Sequence, residues 1–527
     1  MNRFGRFLVN GTLMTAVALF MRTVALAFNV YISNQIGAEG LGLFTLISSV
    51  YGFALTLATS GINLASTRLI SEAIGHDNTN DMDGSVRKSK KLGFILARCI
   101  IYALLFSVSV AVLMFLLSDY IGVSILRDRR TVSSLRVLAL SLVPIALSSA
   151  LSGYFSAVRR VYKNAAVQIF GQFTKIYATV LLFGSAFYKD TETACLSMVI
   201  GAVISEMLSF LLQWFLYAKE KRKDDGFVAS DSIKKATNKK LLSIALPVAF
   251  SAYLRSGLIS IEHVLIPIGL EKSCNDKSAS LAAYGTVHSM VFPLVLFPSA
   301  ILSSFAGLLV PEIAESGAAG DTKRIERITS KVIRTALIFS IGVAGIITSF
   351  SNTLGDVVYP GTDAGKYIAM IAPLIPVMYI DTSVDAILKG LGQQVYTMWV
   401  NIIDSSLSVL LVILLLPKYG IIGYVITVYF TELINAALSI TRLLSVTSLR
   451  VKVFSWIAKP LISVVAATFA VKAVFDIIYG GSAVTNVQLW IFIAVTSVIY
   501  FLFLFITRTL EPKQVIRLIN YGKKSIM

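Results

Sequence analysis

The chain has 527 residues, of which 56% are hydrophobic and only 14% charged, against roughly 25% charged in ordinary soluble domains. Its formal charge is +18, from 47 Lys and Arg against 29 Asp and Glu. This composition excludes a soluble multidomain enzyme, and the placement of the charge decides whether nucleic acid is a partner.

Fourteen apolar runs follow one another along the chain: 8–34, 41–71, 93–118, 134–158, 165–187, 194–218, 242–268, 281–311, 332–354, 367–388, 394–417, 421–443, 455–478 and 488–507. Most exceed the roughly 20 residues that carry a helix across a bilayer. The expected fold is therefore all-α, a polytopic membrane protein of about 14 transmembrane helices. The first run is too long for a signal-peptide core and reads as an uncleaved anchor. The longest polar stretch, 219–240, is too short for a nucleotide-binding or catalytic domain. It separates an N-lobe of six runs (1–218) from a C-lobe of six (241–443), followed by two more helices (444–507) and a basic tail (508–527).

The positive charge gathers on one side of these runs. With the N-terminus inside, about 30 of the 47 Lys and Arg fall in inner loops and termini and about 8 in outer loops. The largest inner cluster is Lys219, Lys221, Arg222, Lys223, Lys234, Lys235, Lys239 and Lys240. Both termini are thus expected in the cytoplasm, with the protein in the plasma membrane and its inner basic residues beside anionic phospholipid. Charge placed this way orients a membrane protein and gives no reason to expect nucleic acid. Cys99, Cys195 and Cys274 show no metal-ligand spacing and no obvious pairing.

Six runs before the divider let the next six start in the same orientation, the arrangement of parallel lobes related by an axis along the membrane normal. Gly40–Ala73 can be laid on Ala283–Ser316 at a constant offset of 243, matching Gly42 with Gly285, Ser60 with Ser303 and Glu72 with Glu315. Prolines are uneven: Pro144 alone precedes the divider, while Pro247, Pro267, Pro293, Pro298, Pro373 and Pro376 fall in C-lobe runs. Proline removes a helix hydrogen bond, so bends are expected there.

Charges inside the runs carry the functional signal, because a charge in hydrocarbon costs about 2.5–3.5 kcal/mol even on the lenient insertion scale. Arg22 lies some fourteen residues into the first run, roughly 21 Å of helix, too deep to snorkel easily. Arg22, Lys175 in the fifth run and Arg255 in the seventh are candidate ligands for an anionic group. An ion pair with an acid such as Glu206 is the structural alternative for Arg22. Arg255 and Glu262 are seven residues apart and share a helix face. His288 reads as a packing residue.

Embedded acids concentrate in the C-lobe. Asp381 and Asp385 are at i,i+4, Asp404 is near the middle of the eleventh run and Glu432 near the middle of the twelfth. Buried carboxylates hold a cation or a proton, so a coupling site for Na+ or H+ is expected at Asp404 with Glu432. The alternative is structural neutralisation of Arg255 or Lys459. Gly361–Lys366 (GTDAGK) looks like a phosphate loop but lacks its spacing and the following Ser or Thr. No zinc spacing or serine-nucleophile elbow appears, so no catalytic residue, cofactor or resident metal is expected.

Ile36–Phe44 (IGAEGLGLF), Thr59–Glu72 (TSGINLASTRLISE), Ala283–Glu315, Ile387–Gln393 (ILKGLGQ) and Leu416–Gly423 (LPKYGIIG) resemble the polysaccharide-flippase branch of the MATE-like superfamily, most closely its fourteen-span stage V sporulation protein B type. The bacterial lipid II flippases are more distant. The resemblance implies two six-helix lobes in a V around a central cavity, plus two C-terminal helices. It implies alternating access that carries an undecaprenyl-pyrophosphate-linked oligosaccharide from the inner to the outer leaflet. Arg22 matches the first of a family arginine pair, whereas Phe28 stands at the second position and Thr56 where the second helix has an arginine. The family's C-lobe cation site has Glu262, Asn401, Asp404 and Glu432 as its nearest counterparts.

The expected function is flipping of a lipid-linked cell-wall or polysaccharide precursor, with envelope-synthesis proteins as further partners. The alternatives are a cation-coupled multidrug exporter of the same superfamily, and a membrane enzyme or scaffold in envelope synthesis. An exporter has less use for a central arginine, and an enzyme needs a larger outer loop.

Overall fold

The computed structural model describes residues 3–77, 85–184, 190–220, 231–447, 449, 452–479 and 485–509. Lys221, Arg222 and Lys223 of the basic linker and residues 510–527 of the tail lie outside the described residues. In chain order the helices are α1 (Arg3–Thr59), α2 (Ile62–Asp77), α3 (Ser85–Leu116), α4 (Ser118–Tyr120), α5 (Thr131–Ala139), α6 (Leu142–Ala157), α7 (Val161–Phe183), α8 (Thr191–Glu220) and α9 (Asp231–Cys274). They continue with α10 (Lys277–Gly285), α11 (Phe292–Leu296), α12 (Ser299–Ala318), α13 (Thr322–Ser349), α14 (Ser351–Val358), α15 (Ala364–Ile371), α16 (Ile375–Gly390), α17 (Gln394–Val446), α18 (Lys459–Tyr479) and α19 (Asn486–Ile506). No strand occurs among the described residues. In a bilayer this follows from the backbone, whose polar groups must be satisfied inside the spanning segment.

Eleven helices among the described residues are long and apolar enough to cross a membrane, or twelve when the bent pair α5 and α6, inclined by 42°, counts as one span. The difference from fourteen predicted runs lies in α1 and α17, which each pass through two runs with no intervening loop. Both change direction at a glycine: Gly37 at φ 69° in α1 and Gly420 at φ 55° in α17. That left-handed region is open to glycine at little cost.

Four of the C-lobe prolines sit at helix breaks. A π-turn at Thr286–Val291 leads into α11 with Pro293 in its first turn, Pro298 precedes α12, Pro373 lies within the short 3-10 turn between α15 and α16, and Pro376 falls in the first turn of α16. Pro247 and Pro267 lie within the continuous α9. Tyrosines brace two of the breaks, with buried Tyr379 Oη donating to the Val295 carbonyl at 2.6 Å and half-buried Tyr429 Oη to the Met370 carbonyl at 2.7 Å. The expectation of bends is met, and neighbouring helices re-satisfy backbone groups there.

The chain forms two compact units, Leu43–Leu265 in one, and Met1–Gly42 with Ile266–Met527 in the other. The polar linker marks the expected lobe boundary at 219–240, whereas compactness divides the chain at Gly42 and Leu265. In the Leu43–Leu265 unit, α9 packs on the region between α1 and α2. Ser256 accepts from Thr56 Oγ1 at 3.1 Å, Ser260 Oγ donates to the Ser49 carbonyl at 3.0 Å, and Ser60 meets the Tyr253 hydroxyl. Glu72 at the end of this interface pairs with Lys240 at 2.6 Å and Arg68 at 3.0 Å. Small residues let α7 and α8 approach closely: Gly171 fits against Ser209, and Ser205 Oγ donates to the Gly171 carbonyl at 2.7 Å.

In the other unit α1 packs on α10 just after its Gly37 break, where Gly42 and Gly285 meet backbone to backbone and Ser278 Oγ donates to Glu39 at 2.6 Å. The last two helices join through Lys459, whose ammonium donates to the Thr507 carbonyl at 2.9 Å, while Arg334 reaches the Thr509 carbonyl. These cations satisfy carbonyls left open at the end of α19. Lys459 therefore has a carbonyl partner instead of an embedded acid. Many large apolar side chains point outward, Ile477 at 83% and Phe469 at 77% exposed among them. In a bilayer these faces meet lipid rather than water.

Candidate functional site

Arg22 is half-buried on α1 in the larger unit. Its Nη1 donates to Ser299 Oγ at 3.5 Å, the long end of hydrogen-bond range. Ser299 opens α12 just after Pro298, and its own proton goes to the Leu296 carbonyl at 2.6 Å. Its lone pairs are thereby left facing Arg22. The Tyr379 hydroxyl also lies within electrostatic reach of the guanidinium. Among the described residues Arg22 has no ion-pair partner, so its remaining donors are available to an anion. Nothing in the sequence marked Ser299 as its neighbour beyond the preceding proline.

The other candidate cations are placed differently. Lys175 on α7 is half-buried in the smaller unit, and the acid acting on it is Glu206 on the adjoining α8. Glu206, expected as a structural partner for Arg22, thus serves Lys175. Arg255 is exposed on α9. At 100° per residue, Arg255 and Glu262 occupy one face and the packing residues Tyr253, Ser256 and Ser260 the opposite one.

Three acids gather in the larger unit. Asp404 on the first limb of α17 acts electrostatically on both Asp381 of α16 and Glu432 of the second limb, and all three are half-buried. One Asp381 oxygen is buried without a hydrogen-bond partner. Asp381 therefore joins the expected Asp404 and Glu432, a grouping that sequence spacing alone left open. Asp385, its i,i+4 neighbour, is held by Lys389 at 3.1 Å. Asn401 donates to the Thr397 carbonyl of its own helix at 2.6 Å, and Glu262 belongs to the other unit. Among the described residues no three His, Cys, Asp or Glu side chains gather at metal-ligating distance. His288 packs among the rings of Tyr284, Phe292 and Tyr424 at 4.7–5.4 Å, the packing role read from the sequence.

Long apolar helices broken at glycines and prolines, with an embedded arginine and embedded carboxylates, define a polytopic membrane protein. The fold is similar to that of the lipid II flippase MurJ in its inward closed conformation, with TM-score 0.70 and 15% identity over 93% of this chain and 98% of that one. It is similar also to an inward-facing multidrug resistance MATE transporter, with TM-score 0.61 and 14% identity over 82% and 98%. The chain belongs to the polysaccharide biosynthesis protein family, whose model matches residues 7–316, and the MatE model matches residues 277–414. Among curated relatives, the stage V sporulation protein B of Bacillus subtilis is 23% identical over 522 residues, 98% of each chain.

Proposed function

We propose that the protein is a flippase carrying a polyprenyl-pyrophosphate-linked oligosaccharide from the inner to the outer leaflet by alternating access, with both termini in the cytoplasm. The observation that supports it is Arg22, a half-buried guanidinium within a spanning helix with a serine rather than a carboxylate as its partner among the described residues. A planar fork with spare donors suits phosphate oxygens. Sequence similarity to the lipid II flippase MurJ of Bacillus subtilis supports a lipid-linked substrate.

Inside-negative potential favours outward movement of an anionic headgroup by about 2.3 kcal/mol per charge per 100 mV. No nucleotide hydrolysis is then needed to drive the step. Asp381, Asp404 and Glu432 are the proposed seat of a coupling Na+ or H+, with Glu262 and Asn401 as further candidate ligands. Arg255 stands second to Arg22 as an anion ligand because its side chain is exposed on α9. Lys175 stands third because Glu206 opposes it.

The test is to deplete the protein in its host and follow lipid-linked glycans. Accumulation of one such precursor on the inner leaflet is expected. Unchanged precursor distribution with drug sensitivity instead would support the exporter reading.

A further inference from the structure

The larger unit holds a cavity of about 490 Å³ away from Arg22 and from the acids, within the ~300–1,000 Å³ of small-molecule sites. Its wall is built where helices end or break: the last turn of α9, the body of α10, the loop before α15 and the Gly420 break of α17. It contains the GTDAGK segment, through Gly361, Thr362 and Asp363. Among the described residues no Lys, Arg or His lines it, so the resemblance of that segment to a phosphate loop has no electrostatic support.

The polar groups present favour a different ligand. Thr362 is engaged locally, donating to the Tyr359 carbonyl at 2.8 Å and accepting from the Ala364 amide at 3.3 Å. Asp363 occupies the position before α15 but makes no capping bond with its side chain. Its exposed carboxylate is left to accept from a ligand. Ser273 faces Gly420, where the missing side chain keeps space open beside its hydroxyl. Ser280 and Thr286, whose protons go to the Asp276 and Ala282 carbonyls, add hydroxyl lone pairs, and Tyr367 adds a ring. Hydroxyls, one carboxylate and one aromatic face, with no cation, suit a neutral polyhydroxylated molecule.

We propose that this pocket is a sugar-binding site that receives a glycan unit at the outer end of helices α9, α10, α15 and α17, with Asp363 and Ser273 as its principal hydrogen-bonding residues. The proposal rests on the lipid-linked oligosaccharide reading above. It adds a second contact for the substrate, separate from the anion contact at Arg22.

A native reporter lines the pocket. Cys274 is exposed, whereas Cys99 and Cys195 are buried. In purified protein in detergent, the rate of Cys274 alkylation by N-ethylmaleimide is measured with glucose, galactose or N-acetylglucosamine, and with inorganic pyrophosphate as the anionic control. At least one sugar is expected to slow alkylation, with no effect of pyrophosphate. Asp363→Asn is expected to raise the half-protecting concentration about tenfold, the loss of one charge-assisted hydrogen bond, and Ser273→Ala to shift it in the same direction. Both variants are compared at an unchanged gel-filtration profile. No protection by any of the three sugars, equal protection by pyrophosphate, no reaction of Cys274 without sugar, or unchanged protection in both variants would each overturn the proposal. Failure here with intact precursor flipping removes the pocket and leaves the flippase reading; sugar protection without precursor flipping does the reverse.

Discussion

Gly42 and Gly285 meet in a reciprocal contact. A Cβ on Gly42 would fall inside the Leu281 carbonyl, and one on Gly285 inside the Ala38 carbonyl. Residues 38 and 281, like 42 and 285, are 243 positions apart, the offset at which Gly40–Ala73 overlays Ala283–Ser316. A contact in which each residue meets the partner's equivalent is what a local two-fold axis produces. The weak internal repeat in the sequence thus has a geometric counterpart.

This contact predicts intolerance to any side chain. Gly42→Ala and Gly285→Ala should each cost about 1–3 kcal/mol through backbone displacement. Gly52→Ala, where an added Cβ meets nothing within 4 Å, should leave the thermal midpoint in detergent nearly unchanged. Equal midpoints for all three variants would contradict the crossing.

Lys175 and Glu206 should behave as one unit. Lys175→Met leaves an embedded acid without its cation, and Glu206→Gln leaves the converse, so each single variant should be destabilised. The double variant should recover stability, with a coupling energy of about 1–3 kcal/mol in a double-mutant cycle. Additive losses would show that the two charges act independently.

The acid trio predicts shared ion dependence. Asp381→Asn, Asp404→Asn and Glu432→Gln should each alter the sodium or pH dependence of transport, measured in proteoliposomes and normalised to folded protein. Asp119→Asn, which removes an exposed ion pair with Arg136 in the other unit, should leave it unchanged. The same ion dependence in all four variants would reduce the trio to a structural role.

Orientation is tested by accessibility. In a background lacking the native cysteines, a cysteine at Lys323 should be shielded from an impermeant thiol reagent in intact cells, and one at Asp363 should react. This follows from the uneven loop charges. Reaction at Lys323 in sealed cells would invert the topology.

Much of the fold was legible because lipid imposes one rule on every spanning segment: a long apolar run must be a helix. The embedded charges stood out for the same reason. Span limits at α1 and α17 were less legible, since Gly37 and Gly420 redirect the chain without the polar loop that would mark a boundary. Partnerships were least legible. Which acid meets Lys175, and that Ser299 rather than Glu206 meets Arg22, depends on which helices pack together. Local spacing showed Asp381 beside Asp385, a pairing the fold keeps, but not that Asp404 and Glu432 join Asp381 from α17.

Arg22 tests the central claim most directly. Arg22→Lys keeps the charge but loses the planar fork, and Arg22→Ala removes both. Translocation of a lipid-linked oligosaccharide, measured in proteoliposomes and normalised to folded protein, should fall moderately in the Lys variant. In the Ala variant it should fall roughly 10- to 100-fold, as expected for loss of charge-assisted bonds to an anion. Arg68, already paired with Glu72, should tolerate the same changes. Wild-type translocation by Arg22→Ala would contradict the account, because the guanidinium would then not be an essential ligand of the anionic headgroup.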